Sequence, residues 1–325
     1  MTLNVRLIDK GGYYMKGFKK LTAGFMGVVM ALGVCGFTAL AAEKDVAEIE
    51  GTKYKTLALA IEAAKTDDNK GCTIVLLDDV KENGFKAEDG NEFTIDFNGF
   101  TYTIDGTVGS TGTETNGMQL LRGSDITLEN GTIKSDKAKI LIQKYGTLKI
   151  DDMNLIGGDV CEYVISNNNG TTTITGETNI TANKGWYAFD VYYWPANKYS
   201  DVDVIFDEYM TGTVKGKVEY ANKGAESEEE WLEKASLTIE NGNFEIVIED
   251  RTNSGNAASI EIVNGSFTSD VSAYLAEDRH LVEIDGEYVV MDEDAYDDYL
   301  DDQRDSGRHS YSLKEGKTER DDEEE

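Results

Sequence analysis

Proline, histidine and cysteine are scarce in this chain. A single proline, Pro195, stands in 325 residues. Proline interrupts paired strand, so its rarity leaves long stretches free for sheet, and 33 glycines supply the turns between them. The only histidines are His280 and His309, so the body of the chain has no imidazole for acid–base work or metal ligation. Cys35, Cys72 and Cys161 are the three cysteines, too few and too far apart for a disulfide framework. Basic residues are outnumbered, with 31 Lys and Arg against 62 Asp and Glu and a formal charge of −31. That balance disfavours nucleic acid, anionic lipid and polyanionic polysaccharide as partners unless cations bridge the contact. There is no phosphate-binding glycine loop, CxxC pair, nucleophile elbow, EF-hand loop or calcium-binding nonapeptide repeat. No cofactor or metal site is expected, and calcium has only the general acidity in its favour.

One long apolar run is present, near the N-terminus. Lys16, Lys19 and Lys20 precede Leu21–Leu40, and Ala39–Leu40–Ala41 offers small residues for cleavage. Residues 15–42 are read as a secretory signal peptide rather than a membrane anchor, because charged Glu43, Lys44 and Asp45 follow the alanine-rich exit at once. Val34 before Cys35 does not suit lipid attachment. The mature protein is thus expected to be secreted or surface-associated, without a stable membrane span.

A repeated stretch organises the rest of the chain. Ile126–Thr127–Leu128–Glu129–Asn130–Gly131–Thr132–Ile133 returns as Leu237–Thr238–Ile239–Glu240–Asn241–Gly242–Asn243–Phe244, and again as Ile260–Glu261–Ile262–Val263–Asn264–Gly265–Ser266–Phe267. Alternating aliphatic residues make a strand with one buried face. Asn-Gly permits the left-handed backbone that a sharp corner needs. Asn241 and Asn264 lie 23 residues apart, and Leu128, Ile150 and Ile174 recur at 22 and 24. A period of twenty-odd residues built from short strands and corners predicts a solenoid.

Other elements fit around that body. Leu57, Ala60, Ile61 and Ala64 fall at helical spacing, with Thr56 as the expected N-cap. Leu281–Ile284 and Glu287–Val290 flank Asp285–Gly286, a two-residue hairpin signal. Asn167–Asn169 suits a solenoid in which asparagines of successive turns ladder hydrogen bonds, but reads first as a solvated turn. Two stretches read as insertions in the repeat, the aromatic run Trp186–Tyr199 and the acidic Lys223–Lys234. The expected organisation is residues 1–14 as an extension preceding the true start, 15–42 as signal peptide, 43–291 as the strand domain and 292–325 as a disordered acidic tail.

The segments "GTKYKTLALAIEAA", "GCTIVLLDDV" and "FTIDFNGFTYTI", the strand–Asn–Gly repeat, and "GSFTSDVSAYLAE" with "LVEIDGEYVV" resemble right-handed parallel β-helix, pectin-lyase-like domains of secreted and surface proteins of Gram-positive gut bacteria. The resemblance spans about residues 46–291. It implies an all-β, right-handed parallel β-helix solenoid with a short N-terminal capping helix and a C-terminal hairpin cap. Enzymes of this fold are mostly polysaccharide lyases and hydrolases, while many of its domains carry no assigned chemistry.

Two groups of residues compete for a functional role. Asp151 and Asp152 form a paired carboxylate, with Asp159 nearby and Arg122 one turn earlier, and they are the candidates for a lyase or hydrolase. Asp152 occupies the position of Asn130 in the preceding repeat, which also makes it an ordinary corner residue. The second group is aromatic: Trp186, Tyr187, Tyr192, Tyr193 and Trp194, with Phe189 between them. Such rings stack on sugars or anchor protein interfaces. Either Trp186, Phe189 and Tyr193 face the core while Tyr187, Tyr192 and Trp194 project, or the reverse. The favoured expectation is a non-catalytic binding module for a glycan or a surface protein, and the alternative is an enzyme using Asp151, Asp152 and Arg122.

Signal peptides open on their basic region, yet fourteen residues precede this one, and Lys10–Gly11–Gly12 is encodable by the purine run of a ribosome-binding site. The precursor made in cells is therefore expected to begin at Met15. N-terminal peptide mapping of unprocessed precursor checks this, and any peptide from before Met15 refutes it.

Overall fold

Aliphatic residues at alternate positions, carried on strands of two to eleven residues, dictate how this chain pairs. In this computed structural model, residues 44–193, 201–221, 234–251, 259–306 and 314–315 are described. All of them fall in one unit, Glu43–Glu325. Residues 1–14, residues 15–42 that were expected to be a signal peptide, Trp194, and most of Lys223–Lys234 lie outside the described residues. Among the described residues no helix is long and apolar enough to cross a membrane.

The strands form an all-β, mainly parallel sheet in three ladders. In the first, Ile74, Ile95, Leu128, Ile150, Ile174, Phe206, Ile239 and Ile262 stand in direct register on successive strands. In the second, Val80, Tyr102, Ile133, Leu155, Ile180, Val214, Phe244 and Phe267 do the same. The third runs through Phe85, Met118, Ile142, Ile165, Phe189 and Val218. Nearly all of these side chains are buried in one continuous core. Leu128, Ile150 and Ile174 are direct neighbours, as their 22- and 24-residue spacing requires. Three parallel ladders fed in rotation by one chain are compatible with a parallel β-helix.

The corners obey the expected chemistry with a twist. Asn98, Asn130 and Asp152 take φ of 50°, 60° and 52° at equivalent corners, so there the polar residue adopts the left-handed conformation. Gly131 is needed for space, since a Cβ would collide with Phe97 and with the carbonyl of Phe100. In the two later copies the glycine takes the positive φ, 128° at Gly242 and 123° at Gly265. Asn and Gly therefore exchange roles between copies of one motif.

Antiparallel elements bound the parallel body. Ala47–Ile49 pairs antiparallel with Cys72–Leu76, beside helix α1 (Leu57–Ala64), whose Leu57, Ala60, Ile61 and Ala64 are buried. Thr56 caps α1 by accepting from the Leu59 N–H at 3.1 Å. At the other end Gly265–Phe267 pairs antiparallel with Glu287–Asp292, the second strand of a hairpin turning at Asp285 and Gly286 (φ 53° and 90°). Cys72 and Cys161 are free thiols.

Three expectations need correction. The aromatic run does not start as an insertion: Tyr187–Tyr192 is a regular strand of the third ladder, paired with Tyr163–Asn167 and Thr213–Ala221. Phe189 and Val191 alternate inward there, which is ordinary strand periodicity. Asn167–Asn169 is buried rather than solvated, because the side chains satisfy neighbouring turns. Lastly, the acidic tail is not structureless throughout. Helix α2 spans Glu293–Ser306, begins with Asp292 Oδ1 accepting from the Ala295 N–H at 2.9 Å, and carries Glu293 and Asp294 in its first turn. Acidic residues at a helix N-terminus are stabilised by its dipole.

Helix α2 is anchored by Tyr296, which is buried and stacks on His280 with ring centroids 4.2 Å apart; Glu293 bonds the same imidazole at 2.7 Å. Tyr296→Ala is expected to cost about 1.5–3 kcal/mol of stability, read as a lower urea midpoint. Truncation after Ser306, which among the described residues removes only the two-residue strand Lys314–Glu315 paired with Arg279–Ile284, should lower the midpoint far less. An unchanged midpoint in Tyr296→Ala would show that the helix contributes nothing by docking.

Candidate binding face on the third ladder

The outward side of the third ladder carries an unusual share of polar and aromatic groups. Strand register aligns Tyr163 with Tyr187, and their rings stack at 4.8 Å with planes 9° apart. That distance is the spacing of neighbouring strands, so the rings repeat the backbone. Lys217 follows Tyr187 in register and places its ammonium 5.7 Å from the Tyr187 ring centroid, a cation–π contact.

A second outward column runs beside it. Gln143, Ser166, Asp190, Glu219 and Glu249 stand in register on five successive strands. Hydrogen bonds tie the two columns together. Tyr163 donates its hydroxyl to Glu219 at 2.6 Å, and Tyr187 donates to Glu249 at 2.8 Å. Arg251 bridges them, with Nε 2.9 Å from Glu219 and a terminal nitrogen 3.0 Å from Glu249. Lys217 closes the set at 2.7 Å from Glu249. Ser166 donates to Asp190 at 2.9 Å and the Asn167 N–H donates at 2.5 Å.

These contacts divide the carboxylates electrostatically. Hydrogen bonds from Lys217, Tyr187 and Arg251 hold Glu249 at a pKa of about 2. Burial pushes Asp190 up to about 8, against the opposing pull of its two donors. Desolvation of a group sealed among strands outweighs two hydrogen bonds here. Burial, then the bond to Glu219, raises the Tyr163 phenol. At neutral pH Asp190 is protonated, and Lys217 and Arg251 offset Glu219 and Glu249. The face is therefore neutral overall in a strongly acidic protein.

The aromatic candidates are divided by burial. Trp186 is 40 % exposed at the corner leading into the third ladder, while Tyr187 and Tyr193 are buried and Tyr192 is half-buried. Phe189 and Tyr193 belong to the core and Trp186 does not, so neither expected partition of the rings holds as a whole. Of the carboxylate candidates, Asp151 and Asp152 lie together at one corner, both beside Gly176, and Arg122 lies apart from them. Asp151 pairs with Lys149 at 2.9 Å, and Asp152 accepts from the Glu177 N–H at 2.7 Å as a corner residue. Arg122 lies in the turn leading into Asp125, whereas Asp151 is in register with Glu129, the fifth residue of the strand that Asp125 begins. Among the described residues no three His, Cys, Asp or Glu side chains are grouped to hold a metal ion.

Sequence reasoning missed Tyr163, Asp190, Lys217, Glu219, Glu249 and Arg251. A signal existed, since Tyr163 and Tyr187, and Ser166 and Asp190, are each separated by 24 residues, one period of the repeat. Comparisons with protein families, with curated proteins and with solved structures each found no match.

The depressed pKa of Glu249 makes a prediction about acid. A carboxylate held below its unfolded value stabilises the fold above that value and loses the contribution as pH falls through the folded one. Stability should therefore drop between about pH 4.5 and 2. Glu249→Gln is expected to flatten that limb in urea titrations taken at each pH. A limb of unchanged steepness would show the network to be inert.

Proposed function

We propose that this protein is a secreted or surface-associated, non-catalytic binding module, a right-handed parallel β-helix solenoid of pectin-lyase-like type that takes a glycan or a surface protein on its third face. The observation that carries the reading is the exposed Trp186 beside the internally neutralised Tyr163–Tyr187 network. An exposed indole offers a face for stacking. Beside it the Arg251 guanidinium and part of the Glu249 carboxylate reach the surface, and the buried Tyr187 and Glu219 behind them keep the network without a net charge that would repel a neutral ligand. The reading is further supported by the separation of Arg122 from Asp151 and Asp152, which are themselves committed to ion-pair and corner contacts.

Burying a ring of this size contributes roughly 1.5–3 kcal/mol, and each 1.4 kcal/mol is a factor of about ten in affinity. Trp186→Ala is therefore expected to weaken binding about ten-fold or more, with little change in melting temperature because the ring is exposed. A glycan-array screen followed by titration of the hit measures this. Reducing-sugar and unsaturated-product assays on the same ligands should stay blank. Product release abolished by Asp152→Asn would instead establish the enzyme reading.

A further inference from the structure

The inward side of the third ladder holds a lysine whose direct hydrogen bonds go to main-chain carbonyls, with Asp203 and Asp190 acting on it only at longer range. Lys144 is fully buried, in register between Leu120 and Asn167. Its Nζ donates to the main-chain carbonyls of Asn169 at 2.8 Å and Gly170 at 2.5 Å. An ammonium ion sealed from water without a carboxylate on it is costly unless it sheds its proton. Burial does push this amine down to about 7, so a large share is unprotonated, nucleophilic amine at neutral pH.

Its neighbour is an immobilised carboxamide. Asn167 is fully buried, and its Oδ1 accepts from the Thr172 hydroxyl at 2.6 Å while its Nδ2 donates to the Asp190 carbonyl at 2.8 Å. The Asp190 carboxyl sits on the main-chain N–H of the same residue, and its raised pKa leaves it protonated at neutral pH. Neighbouring parallel strands lie about 4.8 Å apart, well within the length of a lysine side chain. An amine and a carboxamide polarised at oxygen thus share the dry inward side, and a carboxylic acid from the outward column meets them at the Asn167 main chain.

We propose that Lys144 and Asn167 become joined by an intramolecular isopeptide bond. Nζ swings from the carbonyls of Asn169 and Gly170 and attacks Cγ of Asn167. Thr172 donates to Oδ1 as negative charge builds there. The Cγ–Nδ2 bond breaks, and Asp190 gives its proton to the departing nitrogen and recovers one from Nζ. Amine plus carboxamide yields a secondary amide plus ammonia, so no oxidant, reductant or cofactor is consumed. Exclusion of water protects the electrophile from hydrolysis. The product ties consecutive strands of the third ladder together in a chain whose Cys72 and Cys161 are unpaired. It removes the buried amine for good, and it is independent of the binding role above.

The test is the mass of the purified full chain under denaturing conditions. Loss of one ammonia lowers it by about 17 Da relative to the sequence. Proteolysis should then release a branched peptide joining the segments around Lys144 and Asn167. Lys144→Met and Asn167→Ala are each expected to restore the full mass, and Asp190→Ala should leave most of the chain uncrosslinked. Wild-type protein at full mass overturns the proposal and makes Lys144 a hydrogen-bonded plug. A 17 Da deficit that persists in Lys144→Met also overturns it, because a succinimide at one of the Asn-Gly corners then accounts for the loss.

Discussion

The constraint on which everything else depends is that no single pass of this chain can bury its own apolar face. A strand such as Asp125–Ser135 projects Ile126, Leu128 and Ile133 to one side, and only the strands before and after it can cover their flanks. Parallel register, with like residues stacked on like, follows from that need. Ile95, Leu128, Ile150 and Ile174 pack as one column because any slip by one residue would turn the whole apolar set toward water. The aromatic row Phe206, Phe244 and Phe267, with centroids 5.1–5.2 Å apart, extends the same logic toward the C-terminal end.

The same repetition that stacks aliphatic residues also stacks polar ones. Tyr163 on Tyr187, and Ser166, Asp190, Glu219 and Glu249 in file, are consequences of register rather than of local sequence. Like charges on adjacent strands would repel. This face tolerates them because Asp190 holds its proton and because Arg251 and Lys217 sit among the two glutamates. Backbone geometry sets the spacing, and titration and ion pairing then decide which carboxylates stay charged.

The polar interior near Lys144 follows a related rule. A chain turning between ladders leaves main-chain carbonyls pointing inward, and buried carbonyls need donors. Lys144 serves Asn169 and Gly170, Thr172 serves the Asn167 side chain, and Asn167 serves the Asp190 carbonyl. In the sequence these residues look like a solvated asparagine-rich turn. Burial turns them into a sealed site with reactive groups held at close quarters.

Read alone, the sequence determined the strand periodicity, the corner positions, helix α1 with its Thr56 cap and the Asp285–Gly286 hairpin. These depend on residues within one pass, where side-chain alternation and backbone preference act directly. Helix α2 was legible in principle from Tyr296, Tyr299 and Leu300, spaced for one helical face, but the surrounding charge obscured them. Tertiary structure decided the rest. It separated Arg122 from Asp151, assigned Trp186 to solvent and Phe189 to the core, and assembled Tyr163, Asp190, Glu219, Glu249 and Arg251 from four different strands and one strand end. The physical reason is that these contacts run across strands. Register between passes, together with the desolvation that register imposes, is a property of the stacked molecule and of no single segment in it.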